Sequence, residues 1–118
     1  MRRRILVVDD EDLIREVLDL HLFQSGYAVT AVDSAAAALA RLETESFDLV
    51  LTDYDMAGMT GVELAVVIKT RWPALPVVML AGMPPDEPVA ALDLVLNKPE
   101  DFRKLVPSIE KLLAHPPA

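Results

Sequence analysis

Ile5-Leu6-Val7-Val8-Asp9-Asp10-Glu11-Asp12 is a short apolar run, mostly β-branched, that breaks without transition into four acids. An apolar run with no alternation suits a strand buried on both faces, and such strands belong to parallel sheets covered by helices on either side. The pattern recurs. Leu49-Val50-Leu51-Thr52 also ends on an acid, Asp53; Val77-Val78-Met79-Leu80 follows Pro76; and Leu94-Val95-Leu96 is followed closely by Lys98. Tyr27 to Val32 reads as a further strand, second in chain order.

The segments between these runs carry helical spacing. Leu13, Ile14, Val17, Leu18 and His21 share roughly one face, and Gly26 provides the stop. Ser34 can cap a helix over Ala35 to Leu42, whose alanines favour close packing. Thr60 to Trp72 carries Val62, Leu64, Ala65, Val67 and Ile68 and ends at Pro73. Residues 83–91 contain Pro84, Pro85 and Pro88, so a helix there is short. Phe102, Leu105, Val106, Ile109, Leu112 and Leu113 mark the last helix, with Pro107 either kinking it or delaying its start. Strands alternating with helices predict a doubly wound α/β domain over residues 1–114, with helices on both faces. Residues 115–118 read as a tail or the stub of a linker.

Composition narrows the chemistry. The chain has 118 residues, 53% of them apolar and 25% charged, which is the balance of a single folded domain. A formal charge of −8 argues against nucleic acid or an anionic membrane as the main partner. There is no cysteine, which excludes disulfides, thiolate metal sites and a cysteine nucleophile. The two histidines, His21 and His115, lack ligand-spaced neighbours. The apolar run after Arg2-Arg3-Arg4 is too short for a signal peptide, and no stretch has transmembrane length. A cytoplasmic protein is expected.

In an open parallel sheet, ligands collect outside the carboxyl ends of the strands. Asp9 and Asp10, Asp53, and Lys98 all fall at that edge. Three carboxylates in one crevice repel one another unless a cation joins them. An all-oxygen ligand set points to a hard divalent ion, magnesium foremost, because it retains waters and accepts phosphate oxygens. A lysine ammonium opposite suits an incoming phosphoryl group, and Asp53 is placed to attack phosphorus.

Val7-Val8-Asp9-Asp10-Glu11, Asp53 with Met56, Met59 and Gly61, Pro76-Val77-Val78-Met79-Leu80 and Asn97-Lys98-Pro99 stand in the order and spacing of a known family. From Ile5 to Leu113 the chain resembles the receiver domains of bacterial two-component response regulators. The resemblance implies a five-stranded sheet of order 2-1-3-4-5 and Asp53 as phosphoacceptor. It implies Mg2+ bound directly by Asp10 and largely through water by Asp9, joined by Asp53 and the backbone carbonyl of Asp55. Lys98 would contact the phosphoryl group, and Pro99 would follow a cis peptide bond. The implied partners are a histidine kinase or histidine phosphotransfer protein and a downstream protein target, with the chain itself a monomer that is not an enzyme beyond slow hydrolysis of its own phosphoryl group.

The chain departs from the family where the switch resides. Ala81 stands in place of a Ser or Thr, Val95 in place of a Tyr or Phe, and Ala57 in place of a proline. The interval from Ala81 to Lys98 is short, so the helix between the fourth and fifth strands is expected to be shortened or unravelled. On the side of position 81 only backbone N–H groups remain to meet a phosphoryl group, those of Gly82 and Ala57. Two other readings stay open: a binding module that no longer uses phosphorylation, and a small phosphatase using the D-x-D of Asp53-Tyr54-Asp55. Asp55 itself either faces solvent or tunes attack by water. Adjacent aspartates after a strand also serve simply as a turn or helix cap.

Overall fold

Each apolar run forms a strand in the computed structural model, which describes residues 2–114. The strands are β1 (Arg4–Val8), β2 (Ala28–Val32), β3 (Leu49–Thr52), β4 (Val77–Ala81) and β5 (Leu94–Asn97), all parallel and ordered β2-β1-β3-β4-β5. The helices are α1 (Asp12–Gln24), α2 (Ala35–Thr44), α3 (Gly61–Arg71) and α4 (Leu105–Ala114), the last entered through a 3₁₀ turn at Phe102–Lys104. The proposed tail, including His115, lies outside the described residues.

Two apolar layers flank the sheet. On one side Ile5, Val7, Leu49, Leu51, Val78 and Leu80 pack against Leu18 and Leu22 of α1 and Leu105, Ile109 and Leu113 of α4. On the other side Leu6, Val8, Val50 and Val77 meet Ala35, Ala38 and Leu42 of α2 and Leu64, Ala65 and Ile68 of α3. Alternate residues of one strand feed opposite layers, so the strands that are buried on both faces are those that lack alternation in sequence.

Local signals set the ends of the elements. Ser34 Oγ accepts the Ala37 N–H at 3.1 Å. Thr60 and Glu63 form a reciprocal capping box at the start of α3. After α1 the chain turns at Gly26 with φ +101°, a conformation that side-chain-bearing residues rarely adopt. Pro107 falls in the first turn of α4, where its missing N–H costs no helical bond, so it delays the start of the helix rather than kinking it.

One expectation is corrected. The buried stripe of α1 is Leu18 and Leu22 with Ile14 beside them, not the face that included Leu13 and Val17. Leu13 is 70% exposed, and Val17, Leu20 and Phe23 are exposed as well. Of the two alternatives for the interval between β4 and β5, a shortened or an unravelled helix, the second holds: among the described residues, 82–93 contain no helix.

An ion pair secures this helix-free crossover. Asp93 Oδ2 accepts both the Lys69 ammonium and the Val77 N–H, each at 2.7 Å, and the same ammonium donates to the Leu75 carbonyl at 2.8 Å. Both side chains are largely shielded from solvent, so removing one leaves a shielded charge and a strand N–H unpaired. Asp93→Ala is expected to lower unfolding stability by about 2 kcal/mol in a urea titration.

Candidate functional site: an acidic crevice at the sheet edge

The chain runs from β1 to β2 on one side, then returns to place β3 on the other. The crevice where this order reverses lies beyond the carboxyl ends of β1 and β3. Val8 pairs with Thr52, Asp9 N–H donates to Val32 O at 3.2 Å, and Asp53 N–H donates to Val8 O at 3.0 Å. Sheet register therefore puts Asp9 and Asp53 side by side. Asp10 follows on the exposed side, and one carboxylate oxygen from each of the three lies within 4.8 Å of the others.

Lys98 arrives from the opposite side. Its N–H donates to Ala81 O at 2.9 Å, and the Lys98–Pro99 peptide is cis. The ammonium lies 3.3 Å from Asp9 Oδ2 and 3.6 Å from Asp53 Oδ1. Asp9 and Asp53 are only 1% and 8% exposed, which leaves Lys98 as the cation that joins them.

Backbone N–H groups hold the second oxygen of Asp9 and share with Lys98 the same oxygen of Asp53. Asp9 Oδ1 accepts the Glu11 N–H at 2.9 Å and Asp53 Oδ1 accepts the Tyr54 N–H at 2.8 Å. Burial pushes the Asp53 carboxyl above the ordinary aspartate range. Lys98 and the Tyr54 N–H oppose that rise, and the Asp9 charge adds to it.

Glycine 61 is required by close approach. A Cβ there would sit 2.0 Å from the Asp53 carbonyl oxygen and 2.9 Å from Met79 Cε. The nearest obstacle is backbone and cannot rotate away. The start of α3 is thus pressed against the residue that carries the buried carboxylate, and the Gly61 N–H donates to Tyr54 O at 2.7 Å.

Asp53, Asp55, Gly82 and Lys98 line one open groove of about 740 Å³, together with Glu11, Tyr54, Thr60 and the wall from Ala81 to Asp86. Asp55 is exposed; a side chain at Gly82 would meet nothing, so this glycine does not answer a shortage of room. Ala81 and Asn97 are paired across β4 and β5, and Val95 lies half-exposed beside Met79.

Sequence reasoning missed Thr52 and Arg15. Thr52 is buried and its Oγ1 donates to the Asp53 carbonyl at 2.8 Å; Arg15 Nη1 donates to the Asp9 carbonyl at 2.9 Å. A polar residue closing an apolar run was the only signal for the first. The second is visible only once α1 folds back over β1.

The donor set fits a hard divalent cation. Three carboxylates with a single ammonium among them leave an excess of negative charge, and every available ligand atom is oxygen. Because the folded state raises the Asp53 pKa, its favourable contribution is complete below the unfolded value and is lost as pH rises through the raised folded value. Ionised Asp53 therefore opposes folding at neutral pH. In magnesium-free buffer, Asp53→Asn is expected to raise the melting temperature by a few degrees at pH 7, with the difference shrinking as thermal scans are repeated toward pH 3.

Comparison with known proteins agrees with this geometry. The response regulator receiver domain family matches residues 5–110. The response regulator receiver protein CpdR of Brucella abortus is 38% identical over 116 residues, covering 94% of this chain and 97% of that protein. FleR, a response regulator protein of Pseudomonas aeruginosa, is 44% identical over 82 residues, 70% of this chain but 17% of its own length, so the chain spans only a small part of that relative. The response regulator TrrA of Thermotoga maritima, solved with Mg2+ and beryllium fluoride, superposes with a TM-score of 0.87 at 32% identity, covering 93% of this chain and 98% of TrrA. The same protein solved in complex with the histidine kinase ThkA gives a TM-score of 0.86, covering 94% of this chain and 98% of TrrA. The chain belongs to the response regulator receiver domain family, the phosphoacceptor modules of two-component signalling.

Proposed function

We propose that Asp53 accepts a phosphoryl group from a phosphohistidine of a histidine kinase or histidine phosphotransfer protein, and that residues 1–114 act as the receiver unit in the cytoplasm. The observation that carries this reading is the convergence of Lys98 on Asp9 and Asp53 within the three-carboxylate cluster. A kinase-bound relative of the same fold supports the class of donor.

In this reading an Asp53 oxygen forms the new bond to phosphorus as the P–N bond breaks. The electron pair leaves on the imidazole nitrogen, which takes up a proton. Asp10, Asp53 and the backbone carbonyl of Asp55, with Asp9 largely through water, would hold Mg2+, which would supply charge neutralisation at the transferring oxygens. Lys98 exchanges its contact with Asp53 for the phosphoryl oxygens, and the Gly82 and Ala57 N–H groups face the same group from the loop side. Asp55, exposed beside the acceptor, shapes attack by water and hence the slow loss of the phosphoryl group.

The exposed strip Leu13, Val17, Leu20 and Phe23 provides a docking face for the donor. Beside it, Ile14, Val17, Leu18, Leu80, Lys98, Pro99 and Phe102 enclose an apolar groove of about 390 Å³. Burying such side chains gives about 1.5–3 kcal/mol each, and the groove ends at Lys98, so a helix seated there approaches the acceptor.

With Mg2+ and phosphoramidate, intact-mass measurement is expected to show a gain of one phosphoryl group. Asp53→Ala should abolish the gain, and Asp10→Ala should reduce it at least tenfold. A gain that persists in Asp53→Ala would move the acceptor elsewhere.

Ala81, Val95 and Ala57 favour a second point about the output. A ligand shifts an equilibrium only through contacts that differ between the two states. Position 81 offers no hydroxyl, Val95 has no ring to reorient, and residues 82–93 contain no helix to move. Signal output therefore passes to a downstream protein through the loops after Asp53 and Ala81, and the chain remains monomeric. Addition of beryllium fluoride is expected to shift NMR resonances in those two loops, with light scattering unchanged. Broad shifts from Leu94 to Leu113, or a shift to dimer, would show a switch built from other residues.

A further inference from the structure

The rim of the acceptor groove carries charge beyond the three-carboxylate cluster and Lys98. One divalent cation together with the Lys98 ammonium would balance Asp9, Asp10 and Asp53. Glu11, Asp55 and Asp86 line the same groove, all three exposed, and none of them is in an ion pair among the described residues. Asp86 is there because the crossover after β4 forms no helix. The chain runs instead as Gly82-Met83-Pro84-Pro85-Asp86 along the mouth of the groove, where two prolines restrict its backbone. Met83, in the same wall, is 86% exposed, so the approach is open to small molecules and lined by carboxylates rather than closed by apolar packing.

We propose that this rim selects phosphodonors by charge, with Asp86 as the determinant: it disfavours small dianionic acyl phosphates and admits donors whose phosphorus is borne by a protonated nitrogen. The inference rests on the reading of Asp53 as acceptor and adds the substrate class to it. In either reaction an Asp53 oxygen bonds to phosphorus. An acyl phosphate loses its P–O bond and releases a carboxylate. A phosphoramidate loses its P–N bond, and the electron pair leaves on nitrogen as a neutral amine. The acyl donor brings more negative charge past Glu11, Asp55 and Asp86 and releases an anion among them; the nitrogen donor does neither. A phosphohistidine presented on a basic or neutral protein surface passes the same filter, whereas a free metabolic acyl phosphate does not.

Asp86 lies outside the metal and phosphoryl contacts and is exposed, so its replacement leaves the fold and the acceptor intact. Labelling rates with acetyl phosphate and with phosphoramidate, at saturating Mg2+ and low ionic strength, give a ratio for each variant by intact mass. Asp86→Lys is expected to raise the ratio of acetyl phosphate to phosphoramidate rates by about fourfold, the effect of two charge units at about 10 Å through water. Asp86→Asn is expected to raise it about twofold. Both gains should collapse at about 0.5 M salt, where screening is nearly complete over that distance. An unchanged ratio, equal rises for both donors, or a gain that survives high salt overturns the charge filter while leaving Asp53 as acceptor. No labelling of the parent chain by either donor overturns the acceptor reading, and the filter with it.

Discussion

One ammonium among three carboxylates sets the terms for this molecule. Lys98 lies 3.3 Å from Asp9 and 3.6 Å from Asp53, and both acids are almost wholly withdrawn from water. A single positive charge cannot balance three negative ones, so the crevice keeps a demand for more positive charge, which a hard cation meets. Much of what positions these side chains is backbone: the register of β1 on β3, the Ala81 carbonyl that receives the Lys98 N–H, and the glycine that lets α3 press on Asp53. The sheet is the part that cannot give, and the charges are held on its edge.

That arrangement explains why so much of the site could be read before the fold was known. A strand buried on both faces leaves an apolar run in sequence, and the residue after the run has to lie at the carboxyl edge. Asp9, Asp53 and Lys98 were legible for that reason, as was the capping residue Ser34. Asp10 needed only to follow Asp9. The failures share a cause as well. On α1 the periodicity admits more than one apolar face, and only packing against the sheet selects Leu18 and Leu22 over Leu13 and Val17. Arg15 and Thr52 touch backbone carbonyls, contacts for which residue type gives no forecast. Nothing in the sequence singles out Asp93, whose carboxylate joins α3 to β4.

The helix-free crossover has consequences at both of its ends. A parallel connection ordinarily lays a helix on the sheet, and here 82–93 does not. At the end nearer the core, Lys69 and Asp93 supply by ion pair and hydrogen bond part of the anchoring that an amphipathic helix would supply by burial. Val95 is left half-exposed on the uncovered side of β5, while Leu96 remains in the core. At the other end the chain passes along the groove as a proline-stiffened wall, bringing Asp86 to the mouth of the acceptor site.

Acceptance and readout therefore separate physically in this chain. Acceptance needs a nucleophile, a neutralising ammonium and oxygen ligands, all fixed by sheet edges that barely move. Readout needs a group whose contacts differ before and after the charge arrives, and coupling is no larger than that difference. Ala81 presents a methyl group where a hydroxyl would provide such a contact, and Val95 is too short to exchange an exposed for a buried position by rotation. What changes in the proposed reaction is the charge balance around Lys98, whose contact with Asp53 would compete with a phosphoryl oxygen. Lys98 precedes Pro99 and Phe102, and both border the apolar groove beside α1. On the proposed reading, a change in the electrostatic partner of Lys98 reaches first the groove beside α1 where the donor would dock, before it reaches any more distant surface.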